Sequence, residues 1–452
     1  MRIIIVGAGK IGITLAELFI SEGHDVTIVD KNQKLVNSCV DKYDVMGITG
    51  NGASSTVLKE AHADKADIVI SVASTDETNM LACVIARKLG AKNTIARVRN
   101  PENVEQVNFI YAELGIKMVV NPEFEAAEEI YRIVRFPSAL KIEKFARGSV
   151  EIAEVVITEN HPLIGIRLCD LRSHSKVEIL ICAVKRGEEV IIPGGNYEIM
   201  PGDVIYIIAS HSEILLFFKE LDLVKKKIHY VMIIGGSKIA VYLSRMLMKQ
   251  GISVKIIEMN LERCEELSML LPKATIVNAD GTDGDVLTEE GIEHVDACVT
   301  LTDMDEENII ISLFAASKKV SKVITKMTRM SLMSMMPQVN IENSVVSPKY
   351  LIANNIIRFV RSIKNADGDN SIETLHKIVE NRAEAIEFKV KEFKQFGVAL
   401  KDMKLKPNVL IACIYRQNKV IRPNGLTTIE PDDDVVVVTT NEGLTKLNDI
   451  LA

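Results

Sequence analysis

The sequence has 452 residues, enough for two to four domains, and its 47% hydrophobic and 25% charged residues are a soluble globular balance. A formal net charge of -7 lacks the basic footprint of a nucleic-acid binder, so no nucleic acid is expected as a partner. Seven scattered cysteines give neither a CxxC pair nor a Cys/His metal spacing, which excludes a zinc site and a disulfide framework and fits a reduced compartment.

The first strand starts at once, without a basic n-region or cleavage signal, and no apolar run reaches the ~18–20 residues of a membrane span. A cytoplasmic protein is expected. The strand "IIIV" leads into Gly7, Gly9 and Gly12, a helix, and a second strand ended by Asp30. A lone G-x-G-x-x-G is weak, but a strand before it, a helix after it and an acid at this distance make a dinucleotide fingerprint. Gly7 permits the tight turn, Gly9 lets backbone approach a pyrophosphate, and Gly12 allows close packing of helix on strand. Ala8, Lys10 and Ile11 complete the turn and open the helix, whose first N–H groups can hold phosphate. Asp30 suits the two hydroxyls of an adenosine ribose and should repel a 2′-phosphate.

Asn51 follows a third strand, where it can meet an adenine edge or serve as an ordinary turn residue. Ala73, Ser74 and Thr75 follow a fourth strand, at the carboxyl edge where ligands gather in open sheets. Asp76, Glu77 and Asn79 start the next helix as caps or as ligand contacts. Arg97 and Arg99 end the strand "NTIAR" and suit phosphate oxygens or a surface ion pair. Strands alternating with helices imply a parallel sheet with right-handed crossovers. Residues 150–210 change texture, to short β-rich runs split by "PGGN" and "MPGD". Lys185, Arg186, Arg416 and Lys419 near such turns read as solvated charges, and Lys225, Lys226 and Lys227 as a solvated linker.

The whole pattern then returns. Gly7 falls on Gly235 and Asp30 on Glu258 at an offset of 228, while Asn51 falls on Asp280 and Arg97 on Lys326 at 229. Pro122 pairs with Pro348, and Asp203 with Asp433. A register held over more than a hundred residues marks a tandem duplication. The expected fold is α/β: two Rossmann-like parallel-sheet lobes, 1–135 and 225–364, each followed by a small α+β lobe, 136–224 and 365–452. In the second turn, Ser237 and Ala240 stand where the first has Gly9 and Gly12, and Thr328 replaces Arg99. Glu258 and Asp280 keep ribose and adenine recognition open there, so the second copy reads as a weakened site or a structural partner. A dehydrogenase is the alternative, but the eight dispersed histidines and the small lobes offer no acid–base constellation. Core or interface packing accounts for Met327, Met330, Met333, Met335 and Met336.

The stretches "VGAGKIG", "GNGAS", "STDETNMLACVIARKLGA" and "IARVRNPE", with the helix start at "NPE" and the duplication, carry a resemblance over essentially the whole chain. The sequence resembles the TrkA family of Trk-type potassium uptake regulators, built of tandem RCK (KTN) domains. The resemblance implies a regulatory subunit without catalysis, peripheral on the inner face of the membrane. It implies a tetrameric ring of eight nucleotide lobes docked on a membrane potassium-transporting subunit of TrkH or TrkG type. It also implies NAD(H) or ATP/ADP in the nucleotide lobes. The helices 122–135 and 348–361 would cross to the neighbouring lobe, with Ile130, Val134, Ile356 and Val360 on their apolar faces.

Overall fold

Apolar runs without alternation become strands covered on both faces. The computed structural model describes residues 1–99, 113–135, 142–145, 150–177, 179–221, 228–329, 332, 345–366, 372–379, 382–417, 419–441 and 443–452. Six parallel strands form the first sheet: β1 (Arg2–Val6), β2 (Asp25–Asp30), β3 (Met46–Thr49), β4 (Ile68–Ser71), β5 (Asn93–Arg97) and β6 (Met118–Val120). Their spatial order is β3-β2-β1-β4-β5-β6, the doubly wound arrangement whose switch point lies between β1 and β4. Val6 pairs with Val29 on one side and Ser71 on the other. Helices α1 (Lys10–Ser21), α2 (Gln33–Tyr43), α3 (Ser55–Glu60) and α4 (Asp76–Leu89) make the crossovers, and α5 (Pro122–Arg135) follows β6.

A small antiparallel sheet comes next, from β7 (Ile142–Phe145), β8 (Val150–Val156), β9 (Leu180–Arg186), β10 (Glu189–Ile191) and β11 (Val204–Ala209), with α6 (His211–Glu220) behind it. Its order is β10-β9-β11-β8-β7. The second parallel sheet repeats the first with β12 (Tyr230–Ile234), β13 (Ser253–Glu258), β14 (Thr275–Asn278), β15 (Ala297–Thr300), β16 (Lys322–Lys326) and β17 (Val345–Val346). Its helices are α7 (Lys238–Lys249), α8 (Leu261–Leu270), α9 (Gly284–Glu289), α10 (Asp305–Ser317) and α11 (Pro348–Ala366). The last sheet holds β18 (Ile372–Ile378), β19 (Ala383–Lys389), β20 (Val409–Arg416), β21 (Lys419–Ile421) and β22 (Asp434–Thr439), in the order β18-β19-β22-β20-β21. Read from the other edge, that is the topology of the first small lobe.

The chain condenses into two units, Met1–Val134 with Ile228–Val360, and Arg135–Lys227 with Arg361–Ala452. Within the first, α5 leaves its own sheet. Ala126, Ile130 and Val134 recur every four residues on one helical face, and with Ala127 they are buried against Val231, Ile233, Val254 and Ile256 of the second parallel lobe. Burying Ile130 and Val134 contributes about 1.5–3 kcal/mol each. Phe124 meets the Tyr242 ring edge-on at 5.4 Å, while Asn121 Nδ2 donates to the Tyr242 hydroxyl at 3.0 Å. On α11, Ile352, Ala353, Ile356 and Val360 are likewise buried. In the second unit, Phe145, Ile152, Tyr206 and Ile208 of one small lobe share a core with Val379, Ala385, Val436 and Val438 of the other.

Two of the expected solvated charges are structural. Asp203 and Asp433 are fully buried, and a buried carboxylate must be paired. Arg186 forks onto Asp203 through Nε at 2.7 Å and Nη2 at 2.8 Å; Arg416 does the same to Asp433, at 2.8 Å from each nitrogen. Burial pushes the Asp203 carboxyl up, but the Arg186 fork and the Met200 N–H outweigh it and hold it below the ordinary value. Because the folded value is depressed, this stabilisation is present above the unfolded-state value near 3.8 and is lost as pH falls through the folded one. Asp203→Asn should therefore cost about 1.5–3 kcal/mol at pH 7, with the deficit shrinking towards pH 3. Urea unfolding at both pH values tests this; a deficit independent of pH would show that the charge is irrelevant.

Met327 is buried against Ile309, Leu332 and Val345. Met330, Met333, Met335 and Met336, the Lys225–Lys227 run and residues 100–102 of "IARVRNPE" lie outside the described residues.

Candidate nucleotide site

The turn after β1 is shaped by contacts that only glycine permits. Gly7 has φ +110°, and a Cβ on it would lie 2.8 Å from the Ala73 nitrogen; a Cβ on Gly12 would lie 1.8 Å from the Gly7 carbonyl oxygen. A Cβ on Gly9, by contrast, would point into open space. Gly9 is the N-cap of α1 and no side chain caps it, so the first N–H groups of the helix face outward, available to an anion. At the end of β2, Asp30 Oδ2 accepts from the Ala8 N–H at 2.7 Å and Oδ1 from the Asn32 N–H at 2.8 Å. Each oxygen keeps a lone pair for a further donor. Asn51 Oδ1 accepts from the Ala53 N–H at 3.0 Å, which fixes the turn after β3.

These elements surround a cavity of about 910 Å³ at the switch point, within the range of small-molecule sites. Gly7, Gly9, Lys10, Ile11, Asp30, Asn51, Ala73, Ser74 and Arg97, all singled out in the sequence, line it together. Five others do not reach its wall. The Ala8 N–H is spent on Asp30, and Gly12 packs under the turn. Thr75 is the N-cap of α4 and accepts from the Thr78 N–H at 3.3 Å. Asn79 is fully buried: its Oδ1 accepts from Ser71 Oγ and the Ala73 N–H, and its Nδ2 donates to the Ala73 and Arg97 carbonyls. That leaves it no hydrogen-bonding capacity for a ligand; it ties β4 to β5. Arg99 donates to the Ser74 carbonyl, and its N–H to Asp76 at 3.0 Å. The hydrogen bonds and packing of these residues hold the geometry of the site.

The sequence did not foresee the opposite wall. Ser237, Lys238, Lys326, Thr328 and Lys349 of the second parallel lobe line the same cavity, as do Lys31, Leu35 and Glu123 of the first. Ser237, Lys326 and Thr328 were expected to be worn parts of a second site, yet they face the first. The reason is pseudo-symmetry: residues of both glycine turns, Gly9 and Ser237, line one cavity, so the phosphate end of each parallel lobe opens onto that of the other. Six cations (Lys10, Lys31, Arg97, Lys238, Lys326, Lys349) face three acids (Asp30, Glu123, Asp303) across the space, a balance suited to a polyanion. Burial pulls the Arg97 guanidinium and the Lys326 ammonium below their ordinary values, and pushes the Glu123 carboxyl up. Arg97 Nε and Glu123 Oε2 are buried without a hydrogen-bond partner among the described residues. A nucleotide fits this set: open backbone at Gly9, free lone pairs on Asp30, and unspent donors where phosphates would lie.

Glu258 and Asp280 lie elsewhere. Glu258 accepts from the Gly236 N–H at 2.7 Å and the Asn260 N–H at 2.8 Å, copying the clamp of Asp30. Asp280 Oδ1 accepts from Thr282, through N–H at 2.9 Å and Oγ1 at 2.8 Å. Neither lines the cavity. Among the described residues, no group of His, Cys, Asp and Glu could hold a metal ion, and no helix is long and apolar enough to cross a membrane.

Fold and cavity together define a tandem dinucleotide-fold protein with a small antiparallel lobe after each nucleotide lobe. The TrkA-N domain family matches residues 3–122 and 231–348, and the TrkA-C domain family residues 152–222 and 387–452. The chain belongs to the TrkA family of potassium uptake proteins. The Trk system potassium uptake protein TrkA of Vibrio alginolyticus is 33% identical over 450 residues, covering 98% of this chain and 96% of the relative. A TrkA homolog of Archaeoglobus fulgidus is 32% identical over 450 residues and covers 100% of both. Among solved structures, the GsuK channel has a TM-score of 0.64 at 17% identity, over 98% of this chain and 77% of that one. The GsuK channel bound to NAD gives 0.62 at 16% identity, over the same shares. At such identities the likeness establishes the fold.

Proposed function

We propose that this chain is a cytoplasmic, nucleotide-sensing regulatory subunit of a Trk-type potassium uptake system, with NAD(H) or ATP/ADP as its ligand. The observation that carries the proposal is the composition of the cavity wall, whose adenosine side (Asp30, Asn51) comes from one lobe while its cations come from both. Asp30 would hold the ribose, the turn at Gly9 the first phosphates, and Arg97, Lys238 and Lys326 the remaining charge. A ligand that touches both lobes binds one of their arrangements better than another, and so shifts the population between them. Helix α5 begins at the wall, with Pro122 and Glu123, and its far end is buried in the second lobe, so it moves with both. The readout would be a tetrameric ring, peripheral on the membrane and docked on a potassium-transporting subunit of TrkH or TrkG type. Relatives named for potassium uptake leave the dehydrogenase alternative unfavoured.

The test is rubidium uptake into vesicles that carry the membrane subunit of the same system. Uptake should depend on the added chain and change severalfold with NADH or ATP, without consumption of NADH. Uptake indifferent to both nucleotides would sink the regulatory reading.

A further inference from the structure

The second parallel lobe repeats the acid clamp of the first but differs one helical turn later. In the first lobe, the third residue of α2 is Leu35, and it lines the cavity. The third residue of α8 is Arg263. Its side chain folds back over the second glycine turn, with Nε donating to the Gly236 carbonyl at 2.7 Å and Nη1 to Glu266 at 2.6 Å. The Gly236 N–H is already held by Glu258, so both polar groups of that peptide position are satisfied from within the lobe. Leu267 closes the space behind: a Cβ on Gly236 would meet Leu267 Cδ1 at 2.5 Å and Glu258 Oε2 at 3.0 Å. The adjoining helix start is satisfied too, because Ser237 Oγ accepts from the Ala240 N–H at 3.4 Å. At Gly9 in the first lobe no side chain does this.

We propose that Arg263 is a resident occupant of the adenosine half of the second lobe's nucleotide position. A guanidinium held over the turn by the Gly236 carbonyl takes the place that a ribose would use, while the Glu258 carboxylate is held by the Gly236 and Asn260 N–H groups. The second lobe is then closed as a receptor, and its outward groups, Lys238 and Lys326, serve the cavity at Asp30 instead. The chain takes one nucleotide, where its duplicated sequence offers two positions. This rests on the nucleotide reading above.

Calorimetry of the full chain with NADH tests it, using wild type, Asp30→Ala, Arg263→Leu and Arg263→Leu/Glu258→Ala. Leucine is what the first lobe carries at this position, and melting of each variant confirms that it is folded. Wild type should bind one NADH per chain, and Asp30→Ala should lose that binding. Arg263→Leu should bind two, the second disappearing when Glu258→Ala is added. Two equivalents bound by wild type, or one by Arg263→Leu, would overturn the proposal while leaving the nucleotide reading intact. A second equivalent that appears only when Ser237→Gly is also present would assign the closure to Ser237 and overturn it equally. No binding by any form would overturn both readings.

Discussion

Replacing Asp30 with alanine is expected to weaken NADH or ATP binding ten- to hundredfold. Hydrogen bonds to a charged group contribute about 1.5–3 kcal/mol, and 1.4 kcal/mol is a factor of ten in affinity. The carboxylate is well placed to supply them, because its two backbone bonds at 2.7 and 2.8 Å fix its plane and leave a lone pair on each oxygen. Alanine also releases the Ala8 and Asn32 N–H groups, so part of the loss would come from a loosened turn. Asp30→Asn separates the two effects, since it keeps an acceptor and gives up the charge; it should fall between wild type and alanine. The same carboxylate should make NADPH bind poorly, as its 2′-phosphate would meet like charge. Calorimetry with NADH and NADPH decides the matter, and equal affinities for the two would remove Asp30 from the ribose.

Gly12→Ala is expected to destabilise the first lobe by about 3 kcal/mol, the upper end of the overpacking range. The added methyl would sit 1.8 Å from the Gly7 carbonyl oxygen, which is backbone and has no rotamer to adopt. On the other side of the turn a Cβ on Gly7 would come within 2.9 Å of the Val72 and Ala73 backbone, so little space is left for Gly7 to shift into. The strain therefore falls on the turn itself, and nucleotide binding should be lost together with stability. For a unit of this size that cost lowers the melting temperature by roughly 6–12 °C. The second lobe supplies the comparison: Ala240 occupies the same position and is fully buried there, in a lobe whose turn has a different partner in Arg263. A melting temperature unchanged within about 2 °C, with NADH affinity intact, would show that the first turn can shift as freely.

The nucleotide fold was legible because its signals are local. Gly7, Gly9, Gly12 and Asp30 act within one strand–turn–helix–strand unit, and the periodic duplication showed that the unit occurs twice. The roles of Asn79 and Arg99 stayed open in the sequence for a physical reason: an amide or guanidinium at a sheet's carboxyl edge serves equally to bind a ligand or to tie neighbouring strand ends. Only the burial of Asn79 and its four spent hydrogen bonds distinguish the two. Lys326 was assigned to the wrong site because it is read in register with Arg97, whereas its charge acts across a seam between segments more than 200 residues apart. Arg186 and Arg416 look solvated beside their turns, and nothing in their own segments tells that Asp203 and Asp433 are buried beneath them. Arg263 gave no signal at all, since an arginine in the first turn of a helix usually points to water.

Helix α5 has a consequence in time as well as in space. Its stripe of Ala126, Ile130 and Val134 is covered by Val231, Ile233, Val254 and Ile256, which the ribosome makes about a hundred residues later, after a whole small lobe. At about 5–20 residues per second, the stripe stays bare for on the order of ten seconds while the chain is still being made. During that interval the stripe is exposed apolar surface, of the kind that holdase chaperones take up and that neighbouring nascent chains can meet. The seam that joins the two lobes in the finished protein is thus also a point at which its synthesis is open to misassembly between chains.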